Sequence, residues 1–165
     1  MCNGLLRNEF CEFPWPKGLR WKFESLLYGD SKTLVLAPRG KALYGMLQAW
    51  DCSGHDLRSS YSTQWQRLTA APFGFPPGIS VERIETGGQF PDWIGVSSHV
   101  PAEAPKFVDY ELMSSCMNMM VYYRRSTNEV SKLDIRRELS MIRISEPAQW
   151  IVGAELEWVL TGDCG

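Results

Sequence analysis

Histidine is scarce in this chain of 165 residues, which carries only His55 and His99. A general acid or base working near neutral pH must therefore be one of these two, or a carboxylate or tyrosine shifted by burial. The sequence lacks a phosphate-cradling Gly-x-x-x-x-Gly-Lys, a Gly-x-Gly-x-x-Gly, a Gly-x-Ser-x-Gly elbow and a His-Glu-x-x-His. Nucleotide-dependent and serine-hydrolase chemistry thereby lose their usual support. No apolar run approaches the ~20 residues that a membrane span needs, and the first twenty residues carry Arg7, Glu9, Glu12, Pro14 and Pro16 where a signal peptide needs an unbroken apolar stretch. Neither sign of charge dominates: the net charge is -2, so no broad positive field gathers phosphates, although Arg124-Arg125 and Arg136-Arg137 form local basic pairs. None of Asn3, Asn8, Asn118 and Asn128 starts a glycosylation acceptor, and the five cysteines are an odd number without the close pairing of a secreted disulfide framework. These absences together predict an intracellular, cytoplasmic protein with reduced thiols, no nucleic-acid partner and no membrane span.

What is present is a two-residue rhythm. Leu19, Trp21, Phe23, Ser25 and Leu27 alternate with Arg20, Lys22 and Glu24, the mark of a half-buried strand. A turn at 29–32 and a returning strand over 33–37 follow, then strands over 42–50 and 57–68. Residues 71–78 hold three prolines and two glycines and read as a loop. Strands resume over 79–85 and 93–98, and residues 107–125 read as one long strand or two joined by a bulge at Ser114-Ser115. In that stretch Met113, Met117, Met119, Val121 and Tyr123 are expected on one face, with Leu112, Cys116, Met120 and Tyr122 on the other. Two segments, 126–137 and 145–160, lie between strand and helix. Ser126 to Glu129 matches a capping box and Ser145-Glu146-Pro147 a helix start. Alternation argues against both, most clearly through Trp150, Val152, Ala154, Leu156, Trp158 and Leu160.

The expectation is an all-β, mainly antiparallel domain: a single barrel of eight to ten strands over residues 19–165, preceded by an arm or lid over 1–18 in which Asn3 to Phe10 forms a short helical turn. An α+β domain is the alternative. The architecture is similar to calycin barrels, although Gly18-Leu19-Arg20-Trp21 has one residue too many for the Gly-x-Trp mark of a lipocalin first strand.

Seven Trp, seven Phe, six Tyr and seven Met give such a barrel an aromatic and sulfur-rich interior that suits a flat or flexible apolar ligand. Trp65, Arg67, Cys116, Met120, Arg124, Phe73 and Phe75 are the candidate ligand-binding residues, with Arg67 and Arg124 placed to hold a carboxylate. Trp21, Trp150 and Trp158 are assigned to the ordinary core. The first reading of function is a carrier for a hydrophobic, partly anionic small molecule. The second is a cofactor-free isomerase, cyclase or lyase that uses the same cavity, with Tyr61, Tyr122 or His55 donating a hydrogen bond to a carbonyl. The third is an interaction or assembly module. Asp51, Asp56, Asp109 and Glu111, the carboxylates nearest the histidines in sequence, read as facing water. Cys52 and His55 have the spacing of half a zinc site, but His99 and Cys116 do not supply a second pair, so neither a metal nor a cofactor is expected.

Overall fold

The alternation resolves into eleven strands and the α-helix Lys132–Met141 among the described residues of a computed structural model, while Gln66, the one described residue of the strand expected over 57–68, is helical. The structure describes residues 5–7, 10–14, 21–28, 31–38, 45–53, 66, 78–99, 108–127, 132–150 and 159–161. A seven-stranded sheet contains β3 (Trp21–Tyr28), β4 (Ser31–Pro38), β5 (Gly45–Asp51), β6 (Ile79–Glu85), β7 (Asp92–His99), β8 (Val108–Cys116) and β9 (Met119–Thr127). Their order is β3-β4-β5-β9-β8-β7-β6, antiparallel throughout. Two meanders, β3-β4-β5 and β6-β7-β8-β9, meet at the β5-β9 pair, where Gly45 faces Arg125 and Asp51 faces Met119. A second, four-stranded sheet is built from β1 (Leu5–Arg7), β2 (Cys11–Pro14), β10 (Arg143–Ile144) and β11 (Val159–Thr161) in the order β10-β2-β1-β11. The domain is thus mainly β and antiparallel, and among the described residues neither sheet closes on itself.

One core joins both sheets to the helix α1 (Lys132–Met141). Leu34, Leu47, Val121, Tyr123, Leu112, Trp93 and Ile84 come from one face of the seven-stranded sheet, Phe10, Cys11, Phe13 and Ile144 from the smaller sheet and its flank, and Ile135 and Leu139 from α1. Rings meet edge to face: Phe90 with Trp93 at 5.9 Å, Trp93 with Tyr123 at 6.1 Å, and Phe10 with Trp150 at 5.6 Å. Each such pair adds ~0.5–1.5 kcal/mol beyond the area it buries. Trp150 is partly buried and packs against this core, while the side chains of Trp21 and Trp158 lie outside the described residues.

Polar ties fix α1 and the segment after it. Tyr123 Oη donates to Glu138 Oε1 at 2.7 Å, and Arg125 Nε sits 3.3 Å from the same oxygen with both charged side chains largely buried. The turn between β6 and β7 reaches across as well: Gln89 Nε2 donates to the Ile144 carbonyl at 3.0 Å and its Oε1 accepts from the Ile144 N–H at 2.9 Å. Gly88 lies so close to the helix that a Cβ would stand 2.6 Å from the Ser140 carbonyl oxygen.

Four expectations are corrected. Residues 107–125 hold neither one continuous strand nor a bulge at Ser114-Ser115; β8 and β9 form a hairpin that turns at Met117 and Asn118, with Cys116 facing Met119. Met117 has φ 52°, the positive value that tight hairpin turns demand and that Gly ordinarily supplies. The turn also reassigns the faces. Leu112 lies opposite Tyr123 and joins Cys116, Met119 and Val121 on the core side, whereas Met113 lies opposite Tyr122 and joins Met120 on the other. Second, alternation fails for 132–141: Ile135 and Leu139, four apart, are fully buried while Asp134, Arg136 and Arg137 are exposed, the signature of an amphipathic helix. Third, Leu5–Arg7 is strand rather than helical turn, because it pairs with β2 on one side and β11 on the other. Fourth, the start of 145–160, where alternation favours strand over the helix-start signal, is the 3-10 turn Pro147–Gln149. Residues 151–158 lie outside the described residues, and 159–161 are strand.

Candidate functional site

The face of the seven-stranded sheet turned away from α1 carries side chains in rows that grade from apolar to charged. Trp50, Met120 and Ser115 form one row, Gln48, Tyr122 and Met113 the next, and Met46, Arg124 and Glu111 the third. Asp109 stands beyond Glu111 on the same strand and face. Register alone creates this gradient, since strand residues two apart share a face.

At the apolar end Cys52, Met113 and Met120 form a buried cluster flanked by Trp50 and Tyr122. The N–H of Cys52 donates to the Asn118 carbonyl at 2.7 Å, which fastens the end of β5 to the β8-β9 turn. Burial pushes the Cys52 thiol pKa up, against a partial offset from a backbone hydrogen bond at Met120.

At the charged end Tyr122 Oη donates to Glu111 Oε2 at 3.1 Å, and Arg124 Nη2 lies 3.7 Å from Asp109 Oδ2. Burial first, then the negative charge of Glu111 and its hydrogen bond, hold the Tyr122 phenol well above its usual range. The phenol is protonated at neutral pH and serves as a donor to Glu111. Arg124 Nε is buried and has no hydrogen-bond partner among the described residues. An unmet donor of this kind costs ~1–3 kcal/mol, more when charged.

Of the residues singled out in the sequence, Met120, Tyr122 and Arg124 share this face. Cys116 does not: it is half-buried on the opposite face, packed against the main core. His55, Tyr61, Trp65, Arg67, Phe73 and Phe75 lie outside the described residues. His99, at the exposed end of β7, donates its backbone N–H to the Gly78 carbonyl at 2.8 Å. Sequence reading missed Met113, Trp50 and the pairing of Glu111 with Tyr122 and Arg124; a two-residue turn at Met117-Asn118 was the signal that places Met113 and Glu111, while Trp50 follows from the β5-β9 register.

Among the described residues two clefts lie elsewhere. One of about 280 Å³ at the β8-β9 turn is lined by Asp51, Met117, Asn118, Glu146 and Pro147 among others, and one of about 440 Å³ lies between Thr86-Gly87 and Arg136, Arg137 and Ser140 of α1. Neither includes Tyr122 or Arg124. Among the described residues no three His, Cys, Asp or Glu side chains come together as metal ligands, and no helix is long and apolar enough to cross a membrane. No protein-family model matches the chain, and no curated protein matches it.

Proposed function

We propose that this protein binds a hydrophobic small molecule with an anionic end, laid along the β5-β9-β8 face with its apolar body against the partly buried rings of Trp50 and Tyr122, above the buried Met113 and Met120, and its anionic group at Arg124. In this reading the seven-stranded sheet curls toward a calycin-like barrel around the ligand, which requires its two outermost strands, β3 and β6, to approach each other. The observation that carries the proposal is the buried Nε–H of Arg124 without an acceptor among the described residues, beside the partly buried rings of Trp50 and Tyr122 and the buried thioethers of Met113 and Met120. A ligand carboxylate answers that donor with a charge-assisted hydrogen bond and competes with Asp109 for the rest of the guanidinium.

The test is tryptophan quenching with polyene acids and tetrapyrroles, each paired with its methyl ester. Saturable binding of the acid, weakened about tenfold by Arg124→Gln with little change for the ester, supports the proposal; tenfold corresponds to ~1.4 kcal/mol, within the span of one charged hydrogen bond. No saturable quenching by any of these compounds removes it.

A second reading, a cofactor-free isomerase or cyclase, is favoured by one observation, the Tyr122 phenol held protonated and aimed by Glu111. It requires that Tyr122 turn from Glu111 to a substrate carbonyl. Turnover of a bound polyene that survives Tyr122→Phe unchanged removes Tyr122 from that role.

A further inference from the structure

The larger of the two clefts lies between elements that the rest of the fold locks together. On α1, Ile135 and Leu139 are buried in the core, which leaves Arg136 and Arg137 exposed, with Ser140 one turn beyond both. Facing them is the turn between β6 and β7, held in shape by its own hydrogen bonds. Thr86 Oγ1 donates to the Phe90 carbonyl at 2.8 Å and accepts from the Gly88 N–H at 3.3 Å, and the Thr86 N–H donates to the Pro91 carbonyl at 2.7 Å. Gly88 lies against the Ser140 carbonyl with no room for a side chain, and Gln89 clamps Ile144 beyond the helix. The walls are therefore fixed before anything binds.

Thr86, Gly87, Arg136, Arg137 and Ser140 line this cleft of about 440 Å³, and the lining holds two guanidinium groups and no carboxylate. The Ser140 hydroxyl donates to the Arg137 carbonyl at 2.6 Å, as that of Thr86 does to Phe90, so both hydroxyl protons are committed and their oxygens act as acceptors. The donors facing a ligand are the two guanidinium groups and the exposed backbone at Gly87, where an added Cβ meets nothing within 4 Å. Asp134, exposed one turn before Arg137, competes for it. A dianion overcomes that competition better than a carboxylate does, and adjacent arginines match the several oxygens of a phosphate. The volume is that of a small-ligand site rather than of a lone ion.

We infer that the cleft between the β6-β7 turn and α1 binds a sugar or polyol phosphate, its phosphate held by Arg136 and Arg137 and its hydroxyls donating to the oxygens of Thr86 and Ser140. The site is independent of the small-molecule reading, since neither Tyr122 nor Arg124 lines it, and the two are read separately: the hydrophobic acid by tryptophan quenching, the phosphate by amide shifts. Nitrogen-labelled full-length protein is titrated with glucose 6-phosphate, inorganic phosphate and glucose while amide resonances are followed. Saturable shifts centred on Gly87, Gly88 and Ser140 are expected with glucose 6-phosphate, weaker binding with inorganic phosphate and none with glucose. Arg136→Gln with Arg137→Gln is expected to weaken binding about tenfold or more, the worth of one charged hydrogen bond, while the urea midpoint holds because both side chains are exposed. Arg83→Gln with Arg143→Gln removes the same charge from exposed positions outside the cleft and is expected to leave binding in place. Should the first double variant fail to fold, Arg136→Gln alone decides. No saturable shift at these amides, or equal weakening in the two double variants, overturns the site, and equal affinity for inorganic phosphate and glucose 6-phosphate overturns the assignment to a sugar or polyol.

Discussion

At the scale of single residues, two side-chain sites make sharp demands on their surroundings. Burial drives the Cys11 thiol pKa far above its ordinary value of 9.0, with Glu12 adding to the effect and Lys32 opposing it. The sign follows directly. Below pH 9 the thiol is protonated in the folded and unfolded chain alike and contributes no slope. Above it the unfolded chain releases the proton while the folded chain keeps it, so stability falls with rising pH by about 1.4 kcal/mol per unit for this group. Urea denaturation from pH 8 to 10.5 is expected to show that decline, shallower in Cys11→Ala; an identical slope in the variant removes Cys11 as its source. Gly95 is the other case. A Cβ there would overlap the Glu111 carbonyl on the neighbouring strand, and backbone has no rotamer with which to yield. Gly95→Ala is expected to cost about 1–3 kcal/mol as overpacking, read as a lower urea midpoint, whereas Gly87→Ala, where a Cβ meets nothing within 4 Å, leaves the midpoint nearly in place.

At the scale of elements, α1 is held to the sheet by the shared acceptor Glu138. Glu138→Ala takes that acceptor from both the Tyr123 hydroxyl and the Arg125 guanidinium, with an expected loss of about 3 kcal/mol in equilibrium unfolding, and Glu138→Gln is expected to lose less because it still accepts from Tyr123. The β8-β9 turn offers the opposite effect. Met117 is 68% exposed at φ 52°, so Met117→Gly is expected to relieve backbone strain and gain a few tenths to about 1 kcal/mol; a lower melting temperature in that variant contradicts the assignment. These same elements mark where sequence reading succeeds and stops. Strands β3 to β7 were legible because alternation between Gly and Pro punctuation is a local signal. The helix was missed because Leu133, Ile135 and the following polar residues mimic a strand for half their length, and only Leu139 breaks the tie. The hairpin was missed because its turn is Met-Asn rather than Asn-Gly. With it went half of the candidate site: Met120, Tyr122 and Arg124 were named from composition and position, but their partners Met113 and Glu111 depend on register, which no single strand encodes.

At the scale of the whole molecule, one core serves two sheets and a helix, so binding and stability are linked. A ligand that engages only the folded chain is expected to raise the unfolding free energy by about 2.7 kcal/mol at a hundred times its Kd, and calorimetry that shows no rise at saturating tetrapyrrole or polyene acid agrees with absence of binding. The smaller sheet integrates the fold across long sequence distances: β1 lies between β2 and β11, with Leu5 opposite both Pro14 and Thr161, and the Phe10 carbonyl accepts from both the N–H and the hydroxyl of Ser145. Such non-local pairings close late and slow folding. A nascent chain emerging from the ribosome therefore carries Leu5–Arg7 with one bare edge until Val159–Thr161 has been made, and through that interval the strand is a template that any neighbouring polypeptide can occupy.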